Sequence, residues 1–225
     1  MAHLNRDIFY PIYITGLMLF KPATLFHKIN SLPWYQQTLH QWFTSLQAEA
    51  GSAILEVGCA TGQLTEHIGR QGMNAVGVDQ SAHMLQLANK LISRNVRFER
   101  ADALNLTFEA NQFDHVIAGS LLNILPQPEL ALNEMLRVCK PGGKISVLVP
   151  LADMSDQAVA ELASELKLSG FSRAVLSTWH RHAPKMQQAI LLQYFTHAGL
   201  HNIDSITYLN GMVVTVTGTI PYRGE

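Results

Sequence analysis

Between residues 51 and 150 short apolar runs alternate with helical stripes in one fixed order, and this alternation constrains the fold more than any other feature of the chain. Ala53–Val57 is apolar except at Glu56 and stops at Gly58, as a buried strand does. Helical spacing follows over Gln63–Arg70, and a second run, Asn74–Val78, stops at Asp79. Ser81 can cap a helix whose Met84, Leu87, Ala88 and Leu91 recur on one face. A third strand over Val96–Ala101 stops at Asp102, and a fourth over Phe113–Ala118 stops at Gly119-Ser120. Leu132, Met135, Leu136 and Cys139 stripe the next helix, Pro141-Gly142-Gly143 ends it with a turn, and Lys144–Val149 is a fifth strand. Apolar strands alternating with helices predict a parallel sheet covered on both faces, with right-handed crossovers.

The flanks are read less directly. Residues 1–50 are aromatic, with Pro11, Pro22 and Pro33 expected to break short helical pieces of a cap. Residues 151–184 interrupt the alternation. Val159, Leu162, Ala163 and Leu166 stripe one helix there, and a polar stretch with Trp179-His-Arg-His182 follows it, read as a surface loop in which His180 and His182 would share a side only if extended; the segment is expected to lie over a substrate site. Residues 185–225 are expected to give a helix and two strands joined at Asn210-Gly211, a hairpin signal that sets one strand antiparallel. The expectation is one domain of 225 residues.

Composition narrows the classes of function. Lys plus Arg total 16 against 17 acids, with no basic stripe, so nucleic-acid binding has no support and none is expected. Cys59 and Cys139 are the only cysteines and have no metal-ligand spacing, so no metal is expected, and a reducing, cytoplasmic setting is the simpler reading. The apolar stretch Ile8–Phe20 is shorter than the ~20 residues that cross a bilayer, so no integral membrane segment is expected.

In an open parallel sheet, ligands bind at the carboxyl ends of the strands. Here four successive ends carry Gly58-Cys-Ala-Thr-Gly62, Asp79, Asp102 and Gly119-Ser120. Glycine lets backbone approach a ligand closely, and a carboxylate 21 residues after Gly58 can accept from two ribose hydroxyls. Asp102 and the Ala103 N–H are placed to read an adenine edge. Taken singly, each is equally a turn or a cap; their conjunction at equivalent positions is the signal.

Residues 54–150 resemble the class I S-adenosylmethionine-dependent methyltransferases, particularly the small-molecule group called type 11. The pieces that match are Glu56-Val-Gly-Cys-Ala-Thr-Gly62, Val76-Gly-Val-Asp79, Ala101-Asp-Ala103, Phe113-Asp-His-Val116 and Leu136-Arg-Val-Cys-Lys-Pro-Gly-Gly143. The resemblance implies a doubly wound, Rossmann-like α/β sheet of seven strands, ordered 3-2-1-4-5-7-6, strand 7 antiparallel, with helices on both faces. It implies S-adenosylmethionine as cofactor and a small-molecule methyl acceptor as partner. Gly58, Ala60 and Gly62 would lie under the methionine half, with Cys59 a small filler of that loop. Glu56 would hold the loop or reach the methionine amino group. Asp79 would bind the ribose, Gln80 flank the adenine, Asp102 and Ala103 read its edge, and Ser120 touch the methionine. Ala60 departs from the family's more frequent glycine. A nicotinamide dehydrogenase would want a third glycine where Gln63 stands.

In-line methyl displacement needs orientation more than a base, so no catalytic residue is assigned. Candidates are Tyr10, Asn123, His180 and His182. The acceptor pocket is expected from Ser120–Ile124, from the aromatic rings Tyr10, Tyr13 and Phe20 facing the sulfonium, and from 151–184. A small apolar or amphipathic acceptor fits, and the protein is expected to be a monomer or homodimer. The alternatives are a non-catalytic cofactor-binding regulator or scaffold, and a peripheral membrane protein anchored through its N-terminal segment.

Overall fold

The computed structural model describes residues 6–91 and 93–222; residues 1–5, 92 and 223–225, which fall within the segment boundaries above, lie outside the described residues. The strands are β1 (Ala53–Val57), β2 (Asn74–Asp79), β3 (Val96–Arg100), β4 (Phe113–Gly119), β5 (Cys139–Pro150), β6 (His201–Tyr208) and β7 (Val213–Thr219). They form one sheet in the order β3-β2-β1-β4-β5-β7-β6. β1 to β5 pair in parallel, and β7 runs antiparallel to both of its neighbours. The seven-stranded Rossmann-like order expected above is the observed one.

Strand geometry sends successive side chains to opposite faces, and the core divides accordingly. On one face Leu55, Val57, Val76, Val116 and Val147 pack against Met135 of α6 (Pro128–Val138) and Phe195 of α9 (Gln188–His197). On the other, Ile54, Ala75, Ile117 and Leu148 pack against α3 (Pro33–Ser45) and α4 (Gln63–Arg70) through Trp42, Phe43, Leu64 and Ile68. A third cluster joins α1 (Arg6–Phe20), α2 (Pro22–Asn30), α7 (Asp156–Glu165) and α8 (Gly170–His182) through Ile14, Leu25, Leu162 and Leu176. A short helix, α5 (Ala82–Ala88), completes the set; Ser81 caps it, accepting from the Met84 N–H at 3.3 Å.

Several local expectations are corrected. Pro22 and Pro33 do open helices, where a missing N–H costs nothing, but α1 runs through Pro11. Lys140–Gly143 is not a free turn after a helix ending at Cys139. The helix stops at Val138, and the segment joins β5 as a bulge, since Phe113 pairs with Cys139 and His115 already with Lys144. There the Gly142 N–H donates to Ile220 O, and the Ile220 N–H returns to Gly143 O. Trp179–His182 is the last turn of α8 rather than a loop. His180 and His182, two residues apart on a helix, therefore point in different directions. Within β4 the His115 Nδ1 is buried without a hydrogen-bond partner, and burial pushes its pKa down.

Gly62 shows why the β1–α4 turn needs glycine. Its φ is +81°, and a Cβ would stand 2.6 Å from the Phe98 ring and 2.9 Å from the Ala88 methyl. Gly62→Ala is expected to cost about 1–3 kcal/mol, read as a lower urea midpoint; an unchanged midpoint would refute this packing role.

Candidate functional site

A cavity of about 280 Å³ opens at the carboxyl ends of β1, β2, β3 and β4, near the lower end for small-molecule sites. The sheet order places it there, because the crossovers reverse between β1 and β4. Nine of the ten residues expected to hold the cofactor line it: Glu56, Gly58, Cys59 and Ala60 from the first turn, Asp79 and Gln80 from the second, then Asp102, Ala103 and Ser120. The tenth, Gly62, lies one turn away and serves the helix–sheet packing described above.

Asp79 organises this end of the sheet. Its Oδ2 accepts the Ala60 N–H at 3.0 Å and its Oδ1 the Ser81 N–H at 2.8 Å, tying the glycine loop to the start of α5. The loop is also anchored to β2, where Val78 O accepts from the N–H groups of Gly58 and Cys59. Asp102 is exposed and turns its own loop, with Oδ1 accepting the Leu104 N–H at 3.0 Å. A carboxylate oxygen accepts more than one hydrogen bond, so both side chains keep capacity for hydroxyl or amino donors in the cavity.

Deeper in, the site is short of partners. Ser120, at φ +53°, has a buried Oγ with no hydrogen-bond partner. The Tyr35 phenol lies nearby without a bond of standard geometry to it; burial raises the Tyr35 pKa, opposed in part by the Ser120 hydroxyl and reinforced by Glu56, and keeps the phenol protonated. Glu56 is buried and accepts from Thr65 Oγ1. Burial, opposed by Thr65 and reinforced by the nearby Asp79 charge, pushes its pKa up to about 7. An unpaired hydroxyl and a buried carboxyl at the end of a cleft favour a ligand carrying both polar groups and positive charge.

Glu56 also sets a pH dependence. Its folded-state pKa of about 7 exceeds the ordinary 4.5, so between these values the folded chain holds a proton that the unfolded chain has released. Stability from this group is therefore greatest below the ordinary value and declines as pH rises towards about 7. Glu56→Gln is expected to flatten that decline and to gain on wild type between about pH 5 and about pH 8 in urea titrations. A constant difference across that range would contradict the assignment.

The N-terminal helices close the cavity with residues the sequence did not single out: Phe26 and Asn30 of α2, Tyr35 and Leu39 of α3. Asn30 Nδ2 donates to Thr61 Oγ1 at 3.3 Å, and Gln63 Nε2 meets His27 Nδ1 at 2.9 Å, so α2 is latched to the glycine loop. Asn30 carried no signal beyond being a polar residue shortly ahead of Pro33. Tyr35 had none beyond its helical spacing, which core packing explains equally well.

The candidate catalytic residues are not brought here. Tyr10 and Tyr13 pack edge-on against Phe171 of α8, and Phe20 is 82% exposed. Asn123 Nδ2 donates to Pro184 O at 2.9 Å, which holds the loop while its neighbours Leu121, Ile124 and Leu125 line the cavity. His180 Nε2 bonds Asp156 Oδ1 at 2.9 Å, and His182 lies beside α1. No residue of 151–184 lines this cavity; α7 and α8 pack on α1 and α2. Among the described residues no group of three His, Cys, Asp or Glu is placed to hold a metal ion, and no helix is long and apolar enough to cross a membrane.

Known proteins resemble the chain in the same region. A family model described as a methyltransferase domain matches residues 55–147. A demethylmenaquinone methyltransferase of Shouchella clausii is 26% identical over 96% of each chain. One of Staphylococcus haemolyticus is 37% identical, over 46% of this chain and 45% of its own. The crystal structure of an S-adenosylmethionine-dependent methyltransferase from Aquifex aeolicus shares the fold, with a TM-score of 0.65 at 15% identity, covering 93% of this chain and 98% of that one. The matched core strands, the sheet order and the acid-lined cleft agree: residues 55–147 form a methyltransferase domain, and the chain is an S-adenosylmethionine-dependent methyltransferase.

Proposed function

We propose that this enzyme moves the methyl group of S-adenosylmethionine, by in-line displacement, to a small apolar or amphipathic acceptor of the quinol class. The observation that carries the reading is the mixed lining of the cavity. Asp79, Asp102, Glu56 and Ser120 supply polar groups to it, and Phe26, Leu39, Met84, Leu121, Ile124 and Leu125 supply apolar surface. The names of the relatives support the acceptor class.

When bound, S-adenosylmethionine supplies an electrophilic methyl on a cationic sulfur. Toward it, Asp79 would accept from the ribose hydroxyls while still holding the Ala60 N–H, so binding and loop order reinforce one another. Asp102 and the Ala103 N–H would read the adenine edge, with Gln80 alongside. Glu56, its carboxyl already balanced near neutrality, would ionise beside the cofactor's positive charge and release a proton to solvent. Ser120 and the protonated Tyr35 phenol would hold the reacting end and exclude water from it. Holding nucleophile and methyl in line contributes most of what such a site needs, up to about 7–11 kcal/mol in favourable cases.

The test is incubation of the protein with S-adenosylmethionine and a reduced, unmethylated naphthoquinol. The expected products are a quinol heavier by one CH₂ and an equal amount of S-adenosylhomocysteine. Turnover of catechol or amine acceptors with none of the quinol would overturn the acceptor class.

A further inference from the structure

The outer face of α1 has no partner in the fold. Ile14 and Leu17 bury the inner face in the cluster with Leu25 and Leu176. On the other side Phe9, Ile12, Leu19 and Phe20 recur at helical spacing and stand in solvent, Ile12 at 65%, Leu19 at 70% and Phe20 at 82% exposure. A surface helix of a water-soluble domain ordinarily turns polar residues outward. This one has no charged side chain from Ile8 to Phe20.

The surroundings are cationic. No Asp or Glu occurs between Asp7 and Glu49, while Lys21 follows α1 directly and Lys28 lies over the Phe171 ring. α8, packed along α1, contains no acid either. Its Arg173, Ser177 and Arg181 are four residues apart and so share one side, where with Thr15 and His182 they line a groove of about 240 Å³ against α1. Neither arginine forms a salt bridge among the described residues. Asp156 of α7 shares a second hollow with both arginines across α8, and its carboxylate is bonded to His180.

We infer that α1 is a membrane-surface helix: its outer stripe enters the acyl region of an anionic bilayer while Arg173 and Arg181 receive lipid phosphates in the adjoining groove. An apolar stripe flanked by arginine and lysine is the pattern of helices that lie in the plane of a membrane, and the cations select anionic lipid. α1 leads through Lys21 alone into α2, whose Phe26 and Asn30 wall the cavity, so the docked face lies next to the cavity's cover. Collection of an apolar acceptor from the bilayer rests on the acceptor proposed above; the docking itself does not.

The test is co-sedimentation of the full chain with phosphatidylcholine vesicles, with and without phosphatidylglycerol, alongside L19E/F20E and R173A/R181A. Wild type is expected to pellet with the anionic vesicles only. L19E/F20E, altered at exposed positions, is expected to remain in the supernatant, and R173A/R181A to bind about twenty-five-fold more weakly, roughly fivefold for each arginine near a charged surface. S-adenosylmethionine affinity by calorimetry is expected to be equal in all three proteins, so loss of vesicle binding with cofactor binding intact is distinct from failure of the methyltransferase reading. Wild type that ignores anionic vesicles, or binding that L19E/F20E leaves unchanged, would overturn the inference. So would a solution dimer that L19E/F20E splits, since a second copy would then cover the stripe.

Discussion

Asp79→Ala is expected to weaken S-adenosylmethionine binding a hundredfold or more, on the order of 3 kcal/mol. Two losses combine. The ribose loses its acceptor, and the glycine loop loses the carboxylate that receives the Ala60 and Ser81 N–H groups at 3.0 and 2.8 Å. Hydrogen bonds to a charged acceptor contribute about 1.5–3 kcal/mol each, and the two backbone bonds preorganise the surface on which the ligand lies. Asp79→Asn keeps the shape but replaces one acceptor oxygen with an NH₂ that must face a backbone N–H, so it is expected to resemble alanine rather than wild type. Calorimetric titration of the three proteins gives the comparison. Affinities within about threefold of one another would show that this carboxylate neither organises the loop nor meets the ligand.

Trp42→Ala is expected to cost about 3–5 kcal/mol of stability, the range for removing a large aromatic from a closed core. Trp42 is wholly buried between α3 and the sheet. Its Nε1–H donates to Ser146 Oγ at 2.8 Å, and Ser146 Oγ meets Thr217 Oγ1 at 2.7 Å, a polar relay inside the sheet core. The ring also supports the cavity floor: a Cβ on Gly119 would be 3.3 Å from Trp42 Cζ3, and Ser120 follows at once. Trp42→Phe retains most of the volume but removes the donor to Ser146, which keeps Thr217 as a partner, at an expected cost of about 0.5–1.5 kcal/mol. Urea denaturation measures both. A Trp42→Ala loss below about 1 kcal/mol would mean that α3 is not held to the sheet through this residue.

What could be read in the residues, and what could not, follows from where the information sits. Strand ends at Gly58, Asp79, Asp102 and Gly119 were legible because each apolar run stops at a residue with its own backbone or charge signature, and the observed strands end within two residues of those points. The Asn210-Gly211 turn was legible for the same reason; Leu209, Asn210 and Gly211 all take positive φ between β6 and β7. α8 was not legible. It opens on a glycine and carries Ser172, Ser177 and Thr178, all weak helix formers, and becomes helical by burying Val175 and Leu176 against the N-terminal helices. The cavity's cover was missed for a related reason. Tyr10 and Tyr35 have the same composition-level credentials, and only tertiary packing decides that the first is spent on Phe171 while the second faces Glu56 and Ser120. Glu56 was placed correctly in the loop motif, but its raised pKa comes from enclosure by α4 and from Asp79, neither of which is local in sequence.

The most direct measurement is a crystal structure of this chain soaked with S-adenosylhomocysteine. The ribose should lie on Asp79, the adenine edge should meet Asp102 and Ala103, and the thioether should point towards Tyr35 and Ser120 under the α2–α3 cover. Density for the ligand anywhere else, or a cleft that stays empty at saturating concentration while the fold is intact, would contradict the assignment of this cavity as the place where methyl transfer is set up.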